Sequence, residues 1–386
     1  MRSILLVLAV VNALVAPPRA ATRHSALRAK KKVFIDGEAG TTGLQVLDRL
    51  STHPDIEIVS IDPAARKDAA ARKAAINGAD AVVLCLPDDA AVEAVSLVDD
   101  GNDVKIVDAS TAHRTDPAWE YGFPELDAAQ RGRIAASSRC ANPGCYPTGF
   151  IALTRPLVDA GLLKPAARLA CSAVSGYSGG GKQLAEIYES DDHEPWGAYG
   201  FDLDHKHLPE MAFHGKLDAP PIFLPAVGNF KQGMVVSVPV YHADLTTTSA
   251  EAVHAALEAH YAGSTFVTVM PFGLAGAVDA DLLARGAFLE PTALNGSNGL
   301  ELFVFGNDAK GTMVLVARLD NLGKGASGAA VQNLNIMLGL DESLGLQLYG
   351  SEFFRRARAR GARRGGPPWP RRRRRGRARA RRPCPP

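Results

Sequence analysis

The stretch KVFIDGEAGTTG, Lys32–Gly43, decides how the chain is to be read. Lys32-Val-Phe-Ile-Asp36 is a short apolar strand, and it runs straight into three glycines at three-residue intervals, Gly37, Gly40 and Gly43. The amphipathic segment LQVLDRLSTHP follows with helical spacing. Strand, glycine turn and helix in that order let the backbone bend tightly and approach a pyrophosphate, while the helix N-terminus supplies N–H donors to its oxygens. The alternative is a plain turn between strand and helix.

Downstream, the alternation continues. A second strand, Ile56 to Ile61, carries Ser60 near its end and meets Asp62-Pro63, with Arg66 and Lys67 just after. An acid at that point holds the ribose hydroxyls of NAD, whereas a nearby Arg or Lys accommodates the extra phosphate of NADP, and both signals are present. AARKAAINGAD reads as a helix, AVVLCLP as a central parallel strand with Cys85 in its core, DDAAVEAVSLVDDG as a helix and KIVDAS as the next strand. This predicts a doubly wound dinucleotide-binding domain. Arg114, in Thr111-Ala-His-Arg114, follows the carboxyl end of a parallel strand, where such sheets bind ligands. It is placed to hold a carboxylate or phosphate by a two-pronged contact; a surface salt bridge is the alternative.

SRCANPGCYPTG, Ser138–Gly149, places a cysteine where a helix begins. Asn142-Pro-Gly144 forms a turn, Cys145 follows, and Pro147 sits where the first helical residue tolerates a missing N–H. A helix continues from Thr148, with Pro156 expected to kink or end it. The helix dipole and its unpaired N–H groups favour the thiolate, the nucleophilic form. A small buried cysteine without chemistry is the alternative.

From Arg168 the pattern becomes strands broken by glycine. Ser175-Gly-Tyr-Ser178-Gly179-Gly-Gly181 is a loop able to contact an anion or the cofactor, or a mere connector. His205-Lys-His207-Leu-Pro-Glu210 gathers two histidines and an acid suited to proton transfer, with Glu210 a candidate to orient an imidazole; no matching third ligand set supports a metal. MVVSVPVYHADL, STFVTVMPF and ELFVFGN read as strands of an antiparallel sheet able to hold a subunit contact. A strand, a glycine-rich turn from Asn321 to Gly328 and a helix close the body, returning to the first domain.

The chain has 386 residues, enough for two domains, and a formal net charge of +2 that conceals a strong asymmetry. Residues 1–32 hold seven Lys/Arg and no acid, and residues 351–386 hold fifteen Arg and one Glu, so residues 33–350 carry 21 basic and 40 acidic side chains. An acidic body repels nucleic acid, so attraction to a polyanion would have to come from the basic ends or from a local pocket; the Arg-rich tail reads as disordered low-complexity sequence. Five cysteines without paired spacing argue against a disulfide framework or a zinc site. Residues 1–16 read as a cleavable signal, and the acid-free PRAATRHSALRAKKK after them as a transit peptide; the pair resembles the two-part leader of plastids bounded by extra membranes and predicts the stroma.

Taken together, GEAGTTG, ASTAHR, NPGCYPTG, SGYSGGGK, HKHLPEM and DNLGKGASGAAVQNLN resemble the short-type N-acetyl-gamma-glutamyl-phosphate reductases, over about residues 33–345. The resemblance implies an α/β fold: a Rossmann-like NADP-binding domain at 33–146, completed by 315–345, plus an α+β catalytic and dimerisation domain at 147–314 of the semialdehyde dehydrogenase kind. It implies NADPH as cofactor, Cys145 as nucleophile, His205 and His207 as active-site histidines, and Arg114 with Glu210 at the substrate. Gly37, Gly40, Thr41, Thr42, Gly43, Ser60, Arg66, Ser178, Gly179, Asn321, Gly323 and Gly325 then fall on cofactor-contacting segments. It further implies a dimer or tetramer, with no metal and no membrane span. Under that likeness the thiolate attacks an acyl phosphate, a thioester forms, hydride transfer frees the aldehyde, and a cationic histidine steadies the oxyanion. The nearest rival is an aspartate-semialdehyde dehydrogenase-like reductase of another acyl phosphate; a polyanion-binding protein acting through the Arg tail is the reading from a different class.

Overall fold

The computed structural model describes residues 29–348. The signal-like run, the leader up to residue 28 and the Arg-rich segment 351–386 lie outside the described residues.

The quoted stretch folds as strand β1 (Lys31–Asp36), a tight turn and helix α1 (Thr41–Ser51). The turn requires glycine at its first position: Gly37 has φ +89°, and a Cβ there would stand 2.3 Å from the Cys85 carbonyl oxygen. The alternation then gives β2 (Ile56–Val59), α2 (Ala69–Asn77), β3 (Ala81–Leu84), α3 (Asp88–Ser96), β4 (Lys105–Asp108), β5 (Glu120–Tyr121), α4 (Gln130–Ala136) and β6 (Arg139–Ala141). These six strands form one sheet in the order β2-β1-β3-β4-β6-β5, every neighbouring pair parallel. Alternate residues of β1 serve opposite faces. Val33 and Ile35 pack with Val46 and Leu50 of α1, while Phe34 packs with Ile76 of α2 and Ala91 of α3.

Helix α5 (Cys145–Asp159) leads out of this sheet and is buried from Tyr146 through Leu157. Pro156 does not end it: the helix runs three residues further. The carbonyl that its missing N–H would have served, Ala152 O, instead accepts the Tyr261 hydroxyl at 2.9 Å. The chain continues through β7 (Ala170–Gly176), α6 (Gly181–Tyr188), β8 (Trp196–Ala198), α7 (Leu208–Gly215), β9 (Ile222–Gly228), β10 (Met234–Tyr241), α8 (Ala250–His260), β11 (Val267–Val269), α9 (Gly273–Asp279), β12 (Leu300–Asn307) and β13 (Thr312–Leu319). The second sheet has the order β11-β12-β13-β10-β7-β9-β8. It is mixed rather than antiparallel as read, because β7 pairs with β9 and β11 with β12 in parallel. Its inner face buries Val236, Val238, Leu302 and Leu315 against Phe150 and Leu153 of α5 and Val253 and Leu257 of α8.

Residues 315–319 still belong to this second sheet. Beyond them the glycine-rich turn proves to be a π-helical turn, Gly323–Ser327, running into α10 (Gly328–Met337). All ten residues of α10 are buried, and Val331 and Leu334 cover the face of the first sheet that holds Val33 and Val107. The crossover places that turn against the start of α5, at the seam between the two sheets.

Candidate active site

Cys145 is the first residue of α5 and so stands at the positive end of its dipole. Pro147 is the third helical residue rather than the first; it is still within the turn whose N–H groups have no helical partner. Gly144, the N-cap, has extended backbone, and three side chains converge on it. A Cβ at Gly144 would lie 2.6 Å from Arg114 Nη1, 2.8 Å from His207 Nε2 and 2.9 Å from Glu210 Oε2. Only a residue without a side chain lets these groups close on the sulfur-bearing turn. From the other side the π-helical turn presses in: a Cβ at Gly325 would stand 2.9 Å from Cys145 Cβ.

Arg114 and Glu210 come from the turn after β4 and the first turn of α7, and both are buried. Arg114 donates from Nη1 to Glu210 Oε2 at 3.0 Å, from Nε to Asn142 O at 2.9 Å and from Nη2 to Ala109 O at 3.1 Å. Three of its five N–H groups are thus spent on the protein, and two remain for a ligand. Glu210 does not orient an imidazole: Oε1 accepts from Gly144 N at 2.8 Å and from the Tyr121 hydroxyl at 2.7 Å, and Oε2 faces Arg114. His207 caps α7 and donates its N–H to His205 Nδ1 at 3.1 Å, with the two rings 4.7 Å apart. His207 Nδ1 is buried and has no hydrogen-bond partner among the described residues.

Electrostatics here differ from the dipole argument. Burial pushes the Cys145 thiol up to about 11, against the pull of Arg114 and of the backbone N–H groups of Tyr146 and Cys145. Desolvation also holds His207 well below the ordinary imidazole range, and the charges of Arg114, His205 and Lys206 add to it. In the site without ligand, burial thus favours the neutral thiol and the neutral imidazole. Desolvation thus opposes the helix terminus that favours the thiolate, and a histidine charged by the thiol's own proton remains able to steady the oxyanion.

The expected cofactor residues divide into two groups. Gly40 donates to Gly37 O at 3.1 Å and caps α1 with no side-chain bond and no acid in the first turn. The N–H groups of Thr41, Thr42 and Gly43 are left facing outward from that terminus, a cradle that fits a pyrophosphate. Ser60 and Arg66 are exposed beside it. Arg66 pairs with Glu38 of the glycine turn, while Asp62 spends a carboxylate oxygen on Ala64 N at 2.8 Å. At the seam, Asn321 Nδ2 donates to Ser178 Oγ at 3.1 Å, joining the two predicted loops, and Gly179 lies alongside. Gly323 and Gly325 belong to the π-helical turn.

Sequence reading missed the residues that fix this turn. Asn142 donates to Ala326 O at 3.0 Å, and Arg49 Nε to Ser327 Oγ at 3.0 Å. Lys324, although flanked by glycines, points inward and is fully buried; its ammonium lies 2.8 Å from both oxygens of Glu125 and 2.7 Å from Gln332 Oε1. The nearest sequence signal was a lysine between two glycines, which reads equally as a phosphate contact. Among the described residues no group of three or more His, Cys, Asp or Glu is arranged to hold a metal ion, and no helix is long and apolar enough to cross a membrane.

Comparison with known proteins agrees with this geometry. Residues 32–133 match the family model described as semialdehyde dehydrogenase, NAD binding domain, and residues 145–321 the one described as semialdehyde dehydrogenase, dimerisation domain. N-acetyl-gamma-glutamyl-phosphate reductase 2 of Nostoc sp. is 53% identical over 326 residues, covering 82% of this chain and 99% of the relative. The N-acetyl-gamma-glutamyl-phosphate reductase of Rhizobium etli is 51% identical over 313 residues, covering 80% and 98%. Among solved structures, aspartate semialdehyde dehydrogenase from Francisella tularensis superposes with a TM-score of 0.59 at 14% identity, covering 80% of this chain and all of that one. The Candida albicans enzyme with NADP gives 0.55 at 15%, covering 80% and 99%. At such identities these two establish the fold alone. Because about half of its residues match along nearly the full length of the reductases, and both domain models match in order, the chain belongs to the N-acetyl-gamma-glutamyl-phosphate reductase family of semialdehyde dehydrogenases.

Proposed function

We propose that this protein reduces N-acetyl-glutamyl 5-phosphate to N-acetyl-glutamate 5-semialdehyde with NADPH, releasing phosphate, as a step of arginine biosynthesis. The observation that carries this reading is the convergence of Arg114, His207 and Glu210 on Gly144, one residue before a helix-capping cysteine. Sγ of Cys145 attacks the acyl carbon, the carbon–oxygen bond to phosphate breaks, and phosphate leaves with the electron pair. The thiol is protonated beforehand, so its proton passes to the neutral imidazole of His207 at Nε2, the nitrogen that faces Gly144, as the sulfur–carbon bond forms. Arg114 turns its two remaining N–H groups to the anionic substrate. A reduced nicotinamide, when bound, supplies the hydride that turns the thioester into an aldehyde. His207 then returns its proton to the departing sulfur.

The uncapped start of α1 would hold the dinucleotide phosphates, and Ser178, Asn321 and the π-helical turn the nicotinamide end. The preference for NADPH rests on Arg66 and Lys67 being exposed beside the glycine turn while Asp62 is occupied with its own turn. A homo-oligomer is supported by the solvent side of the second sheet, where Ile222, Leu224 and Tyr241 are exposed in strands whose other face is core. Plastid delivery rests on the leader alone, and a fluorescent fusion of residues 1–35 that stays in the cytosol or is secreted removes it.

The decisive assay is NADPH oxidation with N-acetyl-glutamyl phosphate, run beside aspartyl phosphate. Cys145→Ser is expected to abolish turnover while NADPH binding is retained, and intact mass of the native enzyme given acyl phosphate without reductant is expected to show an acyl adduct. Near-normal turnover in the serine variant rejects the assignment.

A further inference from the structure

Tyr146, the residue after the nucleophile, belongs to two places at once. Its ring lies 6.0 Å from that of His207 and 6.4 Å from that of His205, and it also forms a wall of a cavity of about 490 Å³. The far walls are Leu184 and Tyr188 of α6, Ala198 of β8, Val227 of β9 and the backbone of Gly179-Gly180. Tyr199 completes the near side, 6.2 Å from His205 ring to ring, and its hydroxyl stands 3.4 Å from that of Tyr146. Among the described residues no lysine or arginine lines the cavity, and Glu194 is its one carboxylate. Such walls suit neither a phosphate nor a carboxylate. They suit an uncharged group with one polar handle and an apolar end, which is the chemistry of an N-acyl amide: the paired tyrosine hydroxyls meet the amide, and Leu184, Val227 and Tyr188 meet the alkyl chain.

We infer that this cavity receives the N-acyl group of the substrate, and that its size admits acyl groups larger than acetyl, so that the enzyme also turns over N-propionyl and N-butyryl glutamate derivatives. The inference rests on the reductase reading proposed above. A snug pocket discriminates by about 10–200-fold per methylene; a cavity of about 490 Å³, far larger than an acetyl group, leaves room for two more carbons with little penalty.

The test uses the full-length enzyme in the oxidative direction, with phosphate, NADP and the N-acetyl, N-propionyl and N-butyryl forms of glutamate 5-semialdehyde. The expected result is that kcat/KM for the three agrees to within about tenfold. Leu184→Trp narrows the cavity from α6 and Ala198→Leu from β8, and each is expected to lower the butyryl-to-acetyl ratio of kcat/KM by about tenfold or more, with KM for NADP unmoved. Two variants from different elements guard against one failing to fold. A wild-type enzyme that rejects propionyl and butyryl forms by more than about a hundredfold overturns the inference while leaving the reductase reading intact. So do narrowing variants that raise KM for NADP and leave the acyl ratio flat, since the cavity would then belong to the cofactor. Inactivity of the wild type toward the N-acetyl compound itself overturns the parent reading and this one with it.

Discussion

Replacing Glu210 with glutamine changes one buried oxygen to a nitrogen and removes one charge, yet it should disable the site. The carboxylate is 2% exposed and accepts three hydrogen bonds, from Gly144 N at 2.8 Å, Tyr121 at 2.7 Å and Arg114 Nη1 at 3.0 Å. An amide has one accepting oxygen. If that oxygen keeps Gly144 and Tyr121, the amide NH2 faces Arg114, donor against donor, and the guanidinium loses its counter-charge. If the amide flips, Gly144 N is left facing a donor. Breaking one side of a buried ion pair costs on the order of 3–5 kcal/mol, and a displaced Gly144 carries Cys145 with it, where a shift of about 1 Å costs about 100-fold in rate. The expected outcome is a urea midpoint lowered in proportion to at least about 3 kcal/mol and kcat reduced by about two orders of magnitude, both followed on the same preparation. Native stability together with native turnover in Glu210→Gln would refute the claim that this carboxylate holds the nucleophile's turn.

Three other perturbations probe separate parts of the molecule. Gly325→Ala forces a methyl to within 2.9 Å of Cys145 Cβ; overpacking of this kind costs about 1–3 kcal/mol, and kcat should fall more than KM for NADPH rises, measured by initial rates. His214, stacked on Tyr121 with Nε2 2.6 Å from Arg114 O, is lowered from 6.5 to about 4 by burial. Between those values the unfolded chain binds a proton that the native state does not, so stability falls as pH drops from 6.5 toward 4, by about 3 kcal/mol from this group. Denaturant titrations at several pH values should show the slope, and His214→Gln should flatten it. Arg66→Ser combined with Lys67→Ser should raise KM for NADPH by about tenfold or more, the worth of a lost charge-assisted bond, and leave KM for NADH nearly unchanged; equal effects on both would remove the phosphate role.

The parts of the fold legible in the sequence are those where the period of apolar residues changes beside a glycine. Lys32–Gly43 reads correctly because Val33, Phe34 and Ile35 are followed, after Asp36, by a glycine that takes positive φ. Pairing direction in the second sheet was hidden. β7 and β9 lie side by side in parallel although α6, β8 and α7 intervene, and strand alternation says which face is buried without saying which neighbour it meets. At the site, the types and spacing of Cys145, His207 and Arg114 were readable. What was not readable was solvent: a helix start is visible in NPGCYPTG, whereas the walls that desolvate the thiol come from α7 and from a turn some 180 residues away. Lys324 is the same lesson in reverse, since its glycine neighbours suggest a loop in water, and its burial is matched by the carboxylate of the distant Glu125 together with Gln332 of the next helix.

Helix α10 has a consequence for how the molecule comes into being. The six strands of the first sheet are complete at Ala141, but one of their faces is roofed by a helix that ends at Met337. At ordinary synthesis speeds of about 5–20 residues per second, about 10 to 40 s separate those two points on the ribosome. Throughout that interval the face that carries Val33, Ile35, Val83 and Val107 has Val46 and Leu50 of α1 and Ile134 of α4 on it but lacks its third helix, so the nucleotide-binding half emerges first and matures last.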